Sequence, residues 1–433
     1  MKYIYLPKQY ELVAGDKFEL FYRGIIRLFN PYQYYILVRC LKGNPYPRYF
    51  TYTPKPEDEG TYELTISLID NDGQVIETGS TNLVVVNPEA PQTSKVVLCI
   101  GDSLTFNGVW PAEGYRRVTK KDGVPQGLGF GNCLQMIGTC QKQLENDLIG
   151  YEGYGSWVWK SYCTTDVVSA DSCVWVEANH HLNEHDQHSV WQNHQALWIL
   201  ESIEDHKLKF KRGPNNRSVT PTIDKVFTHV DNAMHIDDIV ITNHWFERGN
   251  PFWNSETSTI DFNYYVKKNN FPAPDLVYIL LTWNGLYIPY NTNFDHHIIY
   301  AKQLLDQLHQ DFPNCKVGIL GVQICSVNGG IAHDYGATSY YSDTFGTIST
   351  AFNYDEALEK MCLEAPYNTY CKYIDTKGQF DSEHNMPSVD TPVNVRSKLT
   401  EKLGTNGVHP AMEGYLQIGD AFYRALVHDL KNK

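Results

Sequence analysis

At 433 residues the chain is too long for one ordinary domain, and its 42% apolar fraction supplies real cores, which excludes an intrinsically disordered protein. Asp and Glu number 50 against 36 Lys and Arg, a formal charge of -14, and such a surface repels phosphate backbones and anionic lipid, so nucleic acid is excluded as a partner. No run approaches the roughly 20 apolar residues of a membrane span. The start, Met1-Lys-Tyr-Ile-Tyr-Leu-Pro, has no long apolar region and no small-residue cleavage site. That favours a cytoplasmic location, or an extracellular one if a signal has been removed. None of the cysteines forms a C-x-x-C pair, which argues against a zinc ribbon or a thioredoxin-type site.

Residues 1–90 predict an all-β accessory domain. Short runs of Tyr, Ile, Val, Leu and Thr are separated by turn signals at Ala14-Gly-Asp, Gly43-Asn-Pro and Asn71-Asp-Gly. Tyr62-Glu-Leu-Thr-Ile-Ser-Leu-Ile-Asp70 alternates cleanly before Asn71-Asp72-Gly73 reverses the chain. The preceding Asp58-Glu-Gly-Thr-Tyr62 resembles the tyrosine corner of immunoglobulin-like sandwiches, with a chance turn as the equal alternative. Asn87 to Ser94, with its two prolines, is a linker.

Residues 91–433 have a different texture. Val96-Val-Leu-Cys-Ile100 is a fully apolar run ending at a glycine, as a buried parallel strand requires. Leu276–Leu281 and Val317–Val322 repeat it. Amphipathic helical stretches follow from His296 to Phe312 and from Ala411 to the end. Strands alternating with helices predict a doubly wound α/β parallel sheet. Residues 171–243 break the rhythm: they are strand-like, rich in Trp and His, and lack a helical apolar stripe. They are expected to form a β-rich insertion.

Gly101-Asp-Ser-Leu104 follows the first buried strand, at the sheet edge where reacting groups gather. A serine there, entering a helix, exposes its hydroxyl and leaves its N–H free to face an oxyanion. Far along the chain, Asn406-Gly-Val-His-Pro410 places a histidine at a helix start. In this order, at opposite ends of an α/β domain, the two blocks resemble those of the SGNH (G-D-S-L) hydrolases. Tyr151-Glu-Gly-Tyr-Gly-Ser-Trp157 and Leu281-Thr-Trp-Asn-Gly285 look like that family's two intervening blocks.

The resemblance implies a flavodoxin-like sheet and ester hydrolysis through an acyl-enzyme, without cofactor or metal. It implies Ser103 as nucleophile, His409 as general base, and an oxyanion hole from the N–H of Ser103, that of Gly155 or Ser156, and the Asn284 amide. Three of the blocks depart from the family. Ser156 falls where glycine is usual, Thr282 and Gly285 flank Asn284 where Gly and Asp are common, and Asn406 replaces the aspartate three residues before the histidine. Three arrangements accommodate Asn406: a Ser–His pair with the imidazole oriented by a backbone carbonyl, a carboxylate such as Asp381 or Glu383 standing in, or a catalytically degenerate protein. In the first, the Asn406 oxygen helps to hold the imidazole.

His181, Glu184, His185 and Asp186 invite a metal reading, but the segment has neither His-Glu-x-x-His nor an apolar stripe, and a solvated loop is preferred. The leading substrate class is a carbohydrate O-acyl, above all O-acetyl, ester, because 30 Tyr and 9 Trp offer faces on which sugars stack. A lipid or small-ester acylhydrolase is the enzymatic alternative. A carbohydrate-binding protein on a decayed hydrolase fold is the alternative of another class.

Overall fold

The alternation of the first ninety residues resolves into two sheets. The structure, a computed structural model, describes residues 2–164, the strands between Cys173 and Glu247, and residues 250–431 apart from 255, 328, 329, 333–335 and 337–341. Strands β1 (Gln9–Val13), β2 (Phe18–Phe21), β3 (Tyr35–Cys40), β4 (Asn44–Pro45), β5 (Tyr49–Tyr52), β6 (Gly60–Ile69) and β7 (Val75–Val86) form sheets of order β1-β7-β6-β3 and β2-β5-β4. Leu64, Ile66 and Leu68 of β6 share a core with Leu12, Phe18, Leu20, Phe50, Leu83 and Val85, the inward half of each period-two pattern. At the β6–β7 reversal Asp70 Oδ1 accepts from Asp72 N and Gln74 N, and Gly73 takes φ 77. The anticipated corner is made by the other member of its motif. Asp58 accepts from Lys55 N at 2.9 Å and pairs with Lys42, while the Tyr62 ring packs edge-on against Tyr52.

This sandwich is locked to the rest of the chain by buried charge. Asp16 lies between Arg117 (2.5 Å) and Arg424 (2.6 Å), and all three are at most 6% exposed. Arg117 also binds Asp420, and Arg424 reaches Gln379 and the Lys17 carbonyl. Tyr10 Oη donates to Asp375, and Phe21 N donates to Gly378 O. Burial pushes the Asp16 carboxyl up, but Arg424 and Arg117 outweigh it and hold it below the usual carboxylate range.

In the second part come β8 (Lys95–Gly101), β9 (Leu134–Ile137), β10 (Cys140–Leu144) and β11 (Asp147–Gly153). The insertion supplies β12 (Cys173–Ala178), β13 (Gln187–Gln192), β14 (Ala196–Glu204), β15 (Lys207–Arg212), β16 (Val226–Val230), β17 (Ala233–Ile236) and β18 (Ile241–Glu247). They form one sheet of order β17-β16-β13-β14-β15-β12-β18, antiparallel throughout. Its last strand runs past residue 243 to Glu247. Asn250 closes the excursion, its amide donating to Tyr162 O and Thr164 O at 2.8 and 3.1 Å, so chain departure and return meet at one point. The hairpin of β19 (Trp253–Asn254) and β20 (Thr259–Ile260) leads back to β21 (Leu276–Leu280), β22 (Lys316–Leu320) and β23 (Cys371–Ile374).

The central sheet has the order β10-β11-β8-β21-β22-β23, with β9 also on β8. Residues 95–98 of β8 pair with β9, and Ile100 and Gly101 pair with β11, so two segments share one neighbouring position. Apart from the β10 edge every pairing is parallel, which gives the flavodoxin-like succession 2-1-3-4-5 with its switch point between β8 and β21. All five residues of β21 are buried, as expected of a strand covered on both faces. Phe422 of the helix Met412–Lys431 meets Tyr278 of β21 and Trp110 of the helix Val109–Thr119 at ring distances of 4.7 and 5.1 Å.

Candidate active site

Ser103 opens the short helix Ser103–Phe106 directly after β8. The turn is possible because residue 101 is glycine: a Cβ there would lie 2.0 Å from Thr105 Oγ1 and 2.5 Å from Leu280 O. Its carbonyl accepts from Tyr162 Oη at 2.7 Å and from Tyr154 N at 3.1 Å, which fixes the strand end from the β11 side.

The buried Asp102 carboxylate ties the serine turn to the loop after β21. Oδ1 accepts from Leu104 N at 2.9 Å; Oδ2 accepts from Thr282 N at 2.9 Å and Thr282 Oγ1 at 3.1 Å. Burial pushes this carboxyl up to about 6, against the hydrogen bonds from Thr282 and Leu104. Thr282, a departure from the family pattern, thus gives Asp102 a hydroxyl that glycine could not. Gly285, the other, takes φ 82, a conformation costly to aspartate.

His409 comes from the far end of the chain, and its Nε2 lies 2.9 Å from Ser103 Oγ. Its block is held from the segment after β22: Gln323 Nε2 donates to Val408 O at 2.9 Å, and Ser326 N donates to Gly407 O at 3.2 Å. A Cβ on Gly407 would lie 2.3 Å from Gly330 O, so this contact demands glycine.

Asn406 has a different task from the one its position in the motif suggests. Its Oδ1 accepts from Val408 N at 2.9 Å and His409 N at 2.6 Å, so both lone pairs are spent on backbone. A short carboxamide meets the N–H groups two and three residues on before it can reach a ring beyond them. Asp381 and Glu383 are likewise engaged elsewhere. Asp381 binds Arg48 at 2.6 Å, and Glu383 binds Arg48, Arg23 and Tyr32.

The groups expected to face an oxyanion lie at the ends of three adjacent strands, β8, β11 and β21. Neither Ser103 N nor the N–H groups of Gly155 and Ser156 donate to any group among the described residues. Ser156 takes φ 68, so a serine holds the left-handed turn where glycine is usual, and the backbone donor survives the change. Asn284 Nδ2 donates to Trp157 O at 3.1 Å and has a long 3.5 Å contact to Asp102 Oδ2. One N–H is therefore committed to the β11 loop, and the other has only a weak partner to give up.

Sequence reasoning missed the tie through Asp102 and Thr282 and the support from Gln323. The signal for Gln323 was present, a fully buried amide inside the apolar run Val322-Gln-Ile-Cys. The His181 to Asp186 cluster lies outside the described residues. Among the described residues one group could hold a metal, Asp381, Glu383 and His384, and its carboxylates already neutralise Arg48 and Arg23. No described helix is long and apolar enough to cross a membrane.

No family model matches the chain, and no curated protein matches it. Among solved structures it is similar to a carbohydrate esterase family 3 from Talaromyces cellulolyticus, at 13% identity and TM-score 0.37 over 78% of this chain and 99% of that one. It is similar to an acetyl esterase with acetate ion at 13% identity and TM-score 0.35, over 78% of this chain and 99% of that one. A peptidoglycan O-acetylesterase shares 11% identity at TM-score 0.29, over 79% of this chain and 93% of that one.

Proposed function

We propose that the chain is a serine ester hydrolase that removes O-acyl groups, chiefly O-acetyl, from carbohydrate, with Ser103 as nucleophile and His409 as general base. The observation that carries this is the 2.9 Å contact between Ser103 Oγ and His409 Nε2 at the switch point of the parallel sheet. A serine alone at a helix start is ordinary; one facing an imidazole brought from 306 residues away has a base at hand to activate it.

The steps follow from the groups in place. Ser103 Oγ attacks the ester carbonyl carbon as its proton passes to His409 Nε2, and the carbonyl π electrons move onto oxygen. The Ser103 N–H, the Gly155 or Ser156 N–H and the Asn284 amide face that oxyanion; each such donor is worth about 10²–10³ in kcat. Collapse expels the sugar alkoxide, which takes the proton from His409. Water then enters with His409 again as base, and acetate leaves while Ser103 regains its proton. Asp102 stays ionised behind the nucleophile and keeps the serine turn and the Asn284 loop in register.

A panel of p-nitrophenyl acyl esters and acetylated sugars tests the proposal. Acetyl esters should be preferred over long chains, a fluorophosphonate should label Ser103, and Ser103→Ala should abolish turnover in a folded protein. Labelling at another residue, or undiminished turnover by the alanine variant, would remove the assignment.

A further inference from the structure

The N-terminal sandwich carries a groove of about 380 Å³ that the catalytic site does not use, lined by Tyr22, Tyr32, Tyr34, Tyr35 and Tyr46 among entirely uncharged residues. The chain as a whole carries a formal charge of -14, while the lining of this groove carries none. It lies against β3 and β4, the terminal strands of the two sheets.

Two of its rings are braced before any ligand arrives. Tyr32 is pinned by a hydrogen bond from its phenol to Glu383 Oε2 at 3.0 Å, with the Arg23 guanidinium 5.5 Å from the ring centre. Tyr46 stacks on Tyr49 at 5.3 Å and 20°. Tyr35 and Tyr46 are 65% and 49% exposed, more than packing requires of so large a side chain. At the other extreme Tyr22 is 2% exposed, and its buried phenol oxygen, beside the Tyr46 backbone, has no well-formed hydrogen bond. A buried hydroxyl that is poorly paired gains from any ligand group that supplies the bond.

We infer that this groove is a binding subsite for a neutral carbohydrate chain. A sugar ring offers an apolar face to a tyrosine ring and hydroxyls that donate and accept, which matches exposed rings beside a poorly paired phenol. A lining without charge selects against ionic ligands. The groove is also joined to the catalytic machinery. Glu383, which holds Tyr32, lies two residues before Asn385, whose carbonyl accepts from Ala411 N just beyond His409. A polymer held by the sandwich is thereby kept on the protein that deacylates it. The inference rests on the carbohydrate-ester reading only for the linkage between binding and turnover.

The test uses the full chain carrying Ser103→Ala, with acetylated xylan, acetylated glucomannan and hydroxyethyl cellulose in affinity electrophoresis. At least one should retard the protein, and Tyr35→Ala and Tyr46→Ala should each weaken retardation about tenfold, the loss of one aromatic partner. Tyr22→Phe should weaken it without lowering thermal stability. In a background with intact Ser103, Tyr46→Ala should leave p-nitrophenyl acetate turnover unchanged. No retardation by any of the three, retardation indifferent to both alanine substitutions, or binding of a proline-rich peptide in place of polysaccharide overturns the inference. Tyrosine-dependent retention by a protein that cleaves no ester would keep the groove and remove the esterase reading; ester turnover without retention does the reverse.

Discussion

Replacing Asn406 by alanine separates two roles that the sequence motif merges. If Asn406 acts through the backbone, as its contacts to Val408 N and His409 N indicate, alanine leaves two part-buried N–H groups without an acceptor. At about 1 kcal/mol for each net hydrogen bond the local loss is about 2 kcal/mol. The turn that aims the imidazole then loosens, and an error of ~1 Å in a reacting group costs about 10² in rate. Asn406→Ala is expected to lower kcat between about tenfold and a hundredfold with little change in KM, and to lower urea stability by about 2 kcal/mol. Asn406→Asp presents the same acceptor oxygen to the same two N–H groups and should keep most activity. Its charge near the ring favours the imidazolium, so the acid limb of the pH–rate profile should move to higher pH. The assay is p-nitrophenyl acetate kinetics from acid to neutral pH for all three proteins, with urea unfolding alongside. An alanine variant with normal kcat and stability would refute the turn-capping role. A folded but inactive Asn406→Asp would show that the amide N–H is needed.

Asn284→Ala should lower kcat by about 10²–10³ with KM nearly constant, because an oxyanion donor acts in the transition state; normal kcat with weakened binding would reassign it to ground-state contact. Asp102, pushed up to about 6 by burial, gains its charge as pH rises through that value, so activity that depends on the ionised form is lost below it. The acid limb of kcat should thus be steeper than one ionisation gives, and Asp102→Asn should return it to a single-ionisation slope at reduced kcat. A wild-type limb that is already single would show that Asp102 does not titrate there. The same raised value has the opposite sign for stability: between the unfolded and folded values the native state holds the extra proton, so this group's contribution weakens as pH rises toward 6. Asp16→Asn leaves Arg117 and Arg424 buried with a weakened partner and should cost about 3–5 kcal/mol in urea unfolding. Because Asp16 is held below the ordinary range, its contribution is full at neutral pH and fades only on strong acidification. A near-neutral Asp16→Asn would show that the Asp16 ion pairs add little to what holds the two parts of the chain together.

The sequence by itself determined what depends on neighbours in the chain. Period-two alternation in Tyr62–Asp70 is a statement about one strand with two faces, and the continuous apolar runs at Val96, Leu276 and Val317 are statements about strands buried on both. Gly101-Asp-Ser before a helix likewise places its hydroxyl locally, so the candidacy of Ser103 was legible, and that of His409 with it. Tertiary structure decided everything that depends on where an atom's partner comes from. Asn406 has the spacing of an imidazole-holding residue, yet its oxygen finds the nearest backbone N–H groups first. Asp381 and Glu383 lie in the right loop to serve His409, but arginines from the sandwich, more than 330 residues earlier, take them. Thr282 and Gly285 look like departures from a pattern until Asp102 and a positive φ explain them. The tyrosine groove has no motif at all, because its rings come from three separate short segments that only the closed sandwich brings to one face. Hydrogen bonds and ion pairs are short-ranged and saturable, so the partner that arrives in space takes the group, and distance along the chain does not say which partner that is.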